Sequence, residues 1–282
     1  MDTTTRRAIF ILSQKGGSGK STFSRALLDH LRLRRNVSVA AFDADGQVGQ
    51  LLQYYGRRDA TGQLYALQNP MDGVASFDLR RQHERGMILD ALDAQADVML
   101  FDFPAGPLDD LENALGTGSG IAPLVEEYNK EGVRITVVMV ISNVQASAQN
   151  VMTTMDLFLD HVDYVVVKNL FYGNPSDFLF FDGFTGADGR FYGGLPRQAL
   201  ARRGGVVVNM PAVPAREYAL CDMYCLGFSE AAGHGAFTRS QRARIGLFLQ
   251  EFGKAADLAA PYFGYAAAKE PTSHFAGALL LK

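Results

Sequence analysis

A chain of 282 residues, 48% hydrophobic and 20% charged, is long enough to bury a sizeable core, and its composition excludes fibrous and disordered classes. Two cysteines exclude a disulfide-stapled scaffold, and a net charge of −3 excludes global attraction to nucleic acid, although 20 of the 27 basic residues are arginines. No apolar run approaches the roughly 18 residues that span a bilayer, and the polar start Met1–Arg7 lacks the pattern of a secretory leader, so a cytoplasmic location is expected.

With no internal repeat, one domain over residues 1–282 is expected, with a core at about 8–256 and an Ala-rich tail at 257–282. Taken in chain order, Ala8–Ser13 reads as a strand, followed by a glycine-rich loop and a helix over Lys20–Arg34. Val37–Phe42 and Ala96–Phe101 are further strands, with helices over Arg81–Ala94 and Pro107–Leu115. Ile135–Ser142 and Tyr164–Val167 follow, separated by a helix over Ala146–His161. A Gly- and aromatic-rich excursion at 171–194 interrupts the rhythm, as a partner surface or as a loop that packs its own rings. Val206–Asn209, a helix over Pro214–Cys225 and a last helix over Arg239–Gly253 complete the chain. The strand runs are continuous rather than alternating, as in strands covered on both faces. The order predicts an α/β, doubly wound, mostly parallel sheet with helices on both faces.

Ser13-Gln14-Lys15-Gly16-Gly17-Ser18-Gly19-Lys20-Ser21-Thr22 follows a strand and opens a helix, the setting in which a glycine string cradles phosphate. Gly16, Gly17 and Gly19 let backbone N–H groups converge with those of Ser18 and Thr22. Lys20 is placed for the β- and γ-phosphates of ATP, and Ser21 for Mg2+. The next strand ends Asp43-Ala44-Asp45-Gly46-Gln47, where a carboxylate can orient an attacking water, a role we give to Asp45. Val98–Asp102 is an apolar strand ending in aspartate, followed by Phe103-Pro104-Ala105-Gly106, and it resembles the Walker B and switch segment of P-loop ATPases, a resemblance that implies that Asp102 holds Mg2+ through a water. Turn-capping aspartates are the plain alternative for each.

Lys15-Gly16-Gly17-Ser18-Gly19-Lys20-Ser21 resembles the deviant Walker A loop of the ParA/MinD family of P-loop ATPases, and the Asp43–Gln47 and Asp102–Gly106 segments are similar to that family's D-x-D-P-Q and D-x-P-[AP]-G motifs, with Gly46 standing where the family has proline. The resemblance runs from about Ile9 to Glu217. It implies a homodimer with ATP sandwiched at the interface and Lys15 reaching the partner's nucleotide. It implies that Asp43, Gly46, Gln47, Pro104 and Gly106 form the switch segments, that Asn169 reads the adenine, and that Pro211 and Pro214 belong to a loop closing over the base. A partner protein that stimulates hydrolysis is implied too. The Lys168-Asn169-Leu170-Phe171-Tyr172-Gly173 segment looks most like plasmid-maintenance and conjugation-associated members.

Three outputs of such a switch remain open. The first is ATP-dependent, non-specific DNA binding at the nucleoid, with Arg202, Arg203, Arg239, Arg242 and Arg244 as candidate contacts. The second is a MinD-like membrane switch, for which the only candidate helix, His274–Lys282, carries a single lysine on its tail end and a glycine within, so membrane binding is not expected. The third is a metabolic ligase or reductase on the same fold. A reductase needs cluster cysteines at matching strand ends, and Cys221 and Cys225 come later; their C-x3-C spacing reads as two small packed residues on one helix face, with a metal or redox role as the alternative.

Overall fold

Strands with continuous apolar runs need a hydrophobic layer on each side, and this requirement sets the architecture. The structure, a computed structural model, describes residues 5–46, 49–116 and 118–267. Its strands are β1 (Arg6–Leu12), β2 (Val39–Asp43), β3 (Ala75–Ser76), β4 (Val98–Asp102), β5 (Val133–Ile141), β6 (Asp163–Asn169), the hairpin strands β7 (Phe184–Thr185) and β8 (Phe191–Tyr192), and β9 (Val206–Met210). Seven of them form a parallel sheet in the order β3-β2-β4-β1-β5-β6-β9. Successive residues of β1 point to opposite faces: Ala8, Phe10 and Leu12 join one core, Ile9 and Ile11 the other.

The face of Ile9 is covered by α1 (Lys20–Asp29), α2 (Gln50–Tyr55), α9 (Ala215–Tyr224), α10 (Phe228–Ala231) and α11 (Arg239–Asp257). The face of Phe10 is covered by α3 (Met87–Asp90), α4 (Leu108–Glu112), α5 (Ala122–Lys130), α6 (Gln145–Phe158), α7 (Leu179–Asp182) and α8 (Leu195–Arg202). Phe10 sits edge-on to Phe101, Phe103 and Tyr128, and Phe42 stacks on Phe101 at 4.8 Å, so the strands that carry the site are pinned by aromatic contacts. Each fully buried Phe, Leu or Ile contributes about 1.5–3 kcal/mol.

Some expected helices differ. The segment expected as a helix over Arg81–Ala94 is a series of turns that reaches α-helix only at Met87–Asp90, with a 3-10 turn at Ala91–Asp93. Polar side chains capture the backbone there: Glu84 accepts from the Asp78 N–H at 2.6 Å and Arg85 donates to the Leu79 carbonyl at 2.9 Å. Pro107–Leu115 shortens to α4, where the Asn113 amide donates to the Asp109 carbonyl at 2.7 Å and ends the helix. The Lys20–Arg34 helix finishes in a π-helical turn, His30–Arg34. Strand β3 and helices α2, α5 and α8 were not foreseen. The excursion is folded: Lys168, at the end of β6, is buried, pairs with Asp182 and donates to the Pro175 carbonyl at 2.9 Å, while Phe178 and Phe181 pack into the core. Phe171, Phe180, Phe184, Phe191 and Tyr192 remain exposed.

Cys221 and Cys225 do not share a helix face. Cys221 is buried in α9, where burial pushes its thiol up to about 11, whereas Cys225 lies past the helix end at φ 51 and is exposed. Among the described residues no helix is long and apolar enough to cross a membrane, and the tail segment His274–Lys282 lies outside the described residues.

Candidate nucleotide-binding site

Strand β1 lies between β4 and β5, so the chain departs to opposite sides of it, and the loop after β1 opens into the crevice that this reversal leaves at the carboxyl ends of the strands. Gly17 and Gly19 adopt φ +80 and +96, conformations favoured by glycine, and a Cβ on Gly16 or Gly17 would meet no atom within 4 Å, so these backbones face open space. Helix α1 begins at Lys20 behind Gly19 and has no side-chain cap, which leaves its first N–H groups for an anion. A cavity of about 390 Å³ is lined by Gly16, Gly17, Gly19, Lys20, Ser21, Thr22, Asp45 and Asp102, together with Gln50, Ala105 and Tyr218.

The carboxylates converge because β2 and β4 are neighbours in register, Asp43 opposite Asp102. Burial lowers the pKa of Lys20, an effect opposed by the charges of Asp102 and Asp45. Burial raises Asp102 to about 6 against the pull of Lys20 and of the Ser21 and Ser24 hydroxyls. Asp43, fully buried, is pushed up to about 7 by burial and by Asp102. It accepts from the N–H of Leu52 at 2.9 Å and of Asp45 at 3.2 Å, so it anchors the turn that carries Asp45. Gly49 is required by this anchor: a Cβ there would lie 1.8 Å from Asp43 Oδ1.

Gly46 takes φ +70 and donates its N–H to the Phe77 carbonyl at 3.0 Å. A proline at that position has neither the dihedral nor the hydrogen, which accounts for its replacement in this chain. Gly106 also turns with positive φ, +68, donating to the Ser13 carbonyl at 3.1 Å, and Pro104 is buried beside it. Gln47 lies outside the described residues.

Three buried side-chain oxygens have no hydrogen-bond partner among the described residues, Ser229 Oγ and, at this site, Asp102 Oδ1 and Ser18 Oγ. An unpaired buried carboxylate oxygen beside Ser21 and Lys20 suits a divalent cation with phosphate, so the donor set fits a magnesium nucleotide. Lys15 stands apart. It is exposed, does not line the cradle, and its ammonium meets no partner among the described residues.

A second cavity, about 340 Å³, adjoins the loop and is walled by Asn169, Phe171, Tyr172, Met210, Pro211, Val213 and Tyr218. Its apolar and aromatic walls suit a base. Asn169 is buried, donates to the Ser18 carbonyl at 2.9 Å and accepts from the Phe171 N–H at 3.1 Å, while Tyr172 donates to the Gly17 carbonyl. Pro211 lines the cavity; Pro214 instead caps α9. Tyr218, which the sequence reading did not include, borders both cavities and lies 3.3 Å from Thr22 Oγ1 through its hydroxyl. Its signal was its place one turn into the helix after the proline loop.

The candidate arginines do not gather. Arg244 binds the buried Glu217 at 2.9 Å, Arg242 donates to backbone carbonyls of α11's entry, and Arg203 pairs with Asp160. Arg202 and Arg239 are exposed and have no partner among the described residues. Arg202 ends a helix that leads into the start of β9, whereas Arg239 begins α11.

A parallel doubly wound sheet with a glycine loop between β1 and α1, a buried lysine and two strand-end aspartates defines a P-loop nucleotide-binding protein. Residues 9–180 match the family model of the CobQ/CobB/MinD/ParA nucleotide binding domain, and the chain belongs to that family. It is similar in fold to a MinD septum site-determining protein from Pyrococcus horikoshii solved with Mg-ADP, at 15% identity and TM-score 0.48, over 91% of this chain and 98% of that one. It is similar also to a ParA family ATPase from Chlorobium tepidum, at 10% identity and TM-score 0.48 over 86% and 99%. A nucleotide-binding protein from Archaeoglobus fulgidus in complex with ADP is 16% identical, with TM-score 0.43 over 94% and 95%. No curated protein sequence matches.

Proposed function

We propose that this chain is an ATP-dependent dimeric switch of the ParA type that hydrolyses MgATP slowly, with a partner protein stimulating the step, and acts in plasmid maintenance or conjugation. The observation that supports this most is Lys15: a cation next to the glycines of the phosphate cradle, exposed, outside its own cavity and without a side-chain partner among the described residues. Such a lysine is of use to a second nucleotide facing the first. Lys20 would bind the β- and γ-phosphates, with Ser21 and Asp102 holding Mg2+, which when bound offsets charge on the phosphate oxygens. Asp45, at the edge of the same cavity and 38% exposed, would orient the attacking water. The base would lie between Asn169, Tyr172, Pro211 and Tyr218, with the Asn169 amide exchanging the Ser18 carbonyl for the adenine edge.

For output we favour DNA over membrane, on the strength of Arg202 and Arg239, exposed and without a partner among the described residues. The two sit on different elements, so the DNA contact would draw on a dimer surface rather than on one patch. The test is retention of the protein on plain duplex DNA with ATP, with ADP and across a salt series. Retention with ATP alone, weakened by salt and by Arg239→Ala, is expected; equal elution in ATP and ADP would rule out this output.

A further inference from the structure

We propose that Arg80 is a positioning residue that restrains Asp45 and so holds partner-free ATP hydrolysis low, an inference that rests on the role of Asp45 given above. Asp45 borders two spaces at once: the phosphate cradle, and a neighbouring groove of about 870 Å³ whose walls include Leu52, Tyr65, Leu67, Phe77 and Arg80. Arg80 stands on the groove side of that boundary. Its Nη2 pairs with Asp45 Oδ1 and its Nε donates to Asp78 Oδ1 at 3.1 Å.

The placement of Arg80 is built in by the backbone. Gly46 donates to the Phe77 carbonyl at 3.0 Å and Leu79 donates to the Ala44 carbonyl at 3.1 Å, so the 77–79 segment is stitched to the turn that carries Asp45. The Arg80 N–H donates to Asp78 Oδ1 at 3.1 Å, Glu84 accepts from the Asp78 N–H, and Arg81 reaches Asp78 and Glu84. Asp78 is thereby committed on several sides, and of the two carboxylates that Arg80 holds, Asp45 is the one at the cradle.

A carboxylate orients a water by offering it a lone pair and an aligned approach. One held by a guanidinium from the groove side has an oxygen engaged, and that oxygen is not free to align a water. The restraint acts on orientation and not on nucleotide binding, because Arg80 does not line the cradle. Its side chain is 53% exposed, and a surface pair is a weak restraint, so its loss should speed turnover by about two- to fivefold and no more.

The experiment is steady-state ATP turnover by the full chain for the unmodified protein, Arg80→Gln, Arg80→Lys, Asp45→Ala and the double variant, with thermal melts of each. The expected result is a kcat raised about two- to fivefold in Arg80→Gln at unchanged KM for ATP, a value near the unmodified one in Arg80→Lys, and no effect of Arg80→Gln when Asp45 is already alanine. An unchanged or lower kcat in Arg80→Gln overturns the proposal, as does no turnover in any variant, or an increase that persists in the double variant. Failure of the underlying reading looks different: Asp45→Ala would then hydrolyse ATP like the unmodified chain. An Asp45→Ala that has lost turnover beside an Arg80→Gln with unchanged kcat removes the role of Arg80 alone.

Discussion

On the proposed reading, phosphate affinity rests chiefly on Lys20, since the remainder of the cradle supplies mainly backbone dipoles. Lys20 is buried, at 8% exposure, and its charge is felt by Asp102. Lys20→Ala should weaken ATP binding by about 3 kcal/mol, roughly a hundredfold, measured by titration calorimetry; affinity equal to that of the unmodified chain would remove the loop from the site. The neighbouring carboxyls make binding sensitive to pH. Both have folded pKa values raised from 3.8, Asp43 to about 7 and Asp102 to about 6. The folded chain without nucleotide therefore keeps protons that the unfolded chain releases, and the stability this adds is complete below the unfolded value and lost as pH rises through about 6 to 7. Magnesium held as proposed would have the opposite dependence, because it would need Asp102 ionised. Affinity for the magnesium nucleotide should fall as pH drops through about 6, while magnesium-free nucleotide binding changes less. A magnesium-dependent affinity that is flat between pH 5 and 8 would contradict the assignment of Asp102.

At the scale of elements, the turns after β2 and β4 matter more than the strands. Gly46 has a left-handed dihedral and a donated N–H, so Gly46→Pro, although it restores the residue usual in the family motif, should cost about 3 kcal/mol and lower the melting temperature. An unchanged melt would mean that the turn is not left-handed. The loop after β1, the strand-end aspartates and Asn169 were legible because each follows an apolar run, where local pattern and chemistry coincide. Arg80 and Tyr218 were not, because their places depend on contacts 35 and 196 residues away in the chain. The helix expected over Arg81–Ala94 failed for a related reason. Its apolar spacing is sound, but Asp78, Glu84 and Arg85 offer the backbone closer partners than a helix would. The short strand β3 has two residues and leaves no periodicity to read.

At the scale of the whole molecule, the phosphate cradle is one-sided. Lys20, Ser21 and the glycine loop line it from the α1 side, and Asp45 and Asp102 from the β2 and β4 ends, while Lys15 is exposed outside this set. Two such surfaces facing one another would bring two sets of phosphates together, and their repulsion requires cations from outside each subunit's own cradle. A lysine at the position of Lys15 supplies one from each side. Lys15→Ala should accordingly bind ATP, since Lys20, Ser21 and the amides remain, yet neither dimerise with it nor hydrolyse it. The most direct measurement is the mass of the protein in solution, by light scattering after size exclusion, with ATP and with ADP. The unmodified chain should run at two-chain mass with ATP and one-chain mass with ADP, and Lys15→Ala at one-chain mass with either; a Lys15→Ala protein that reaches two-chain mass with ATP would contradict the account.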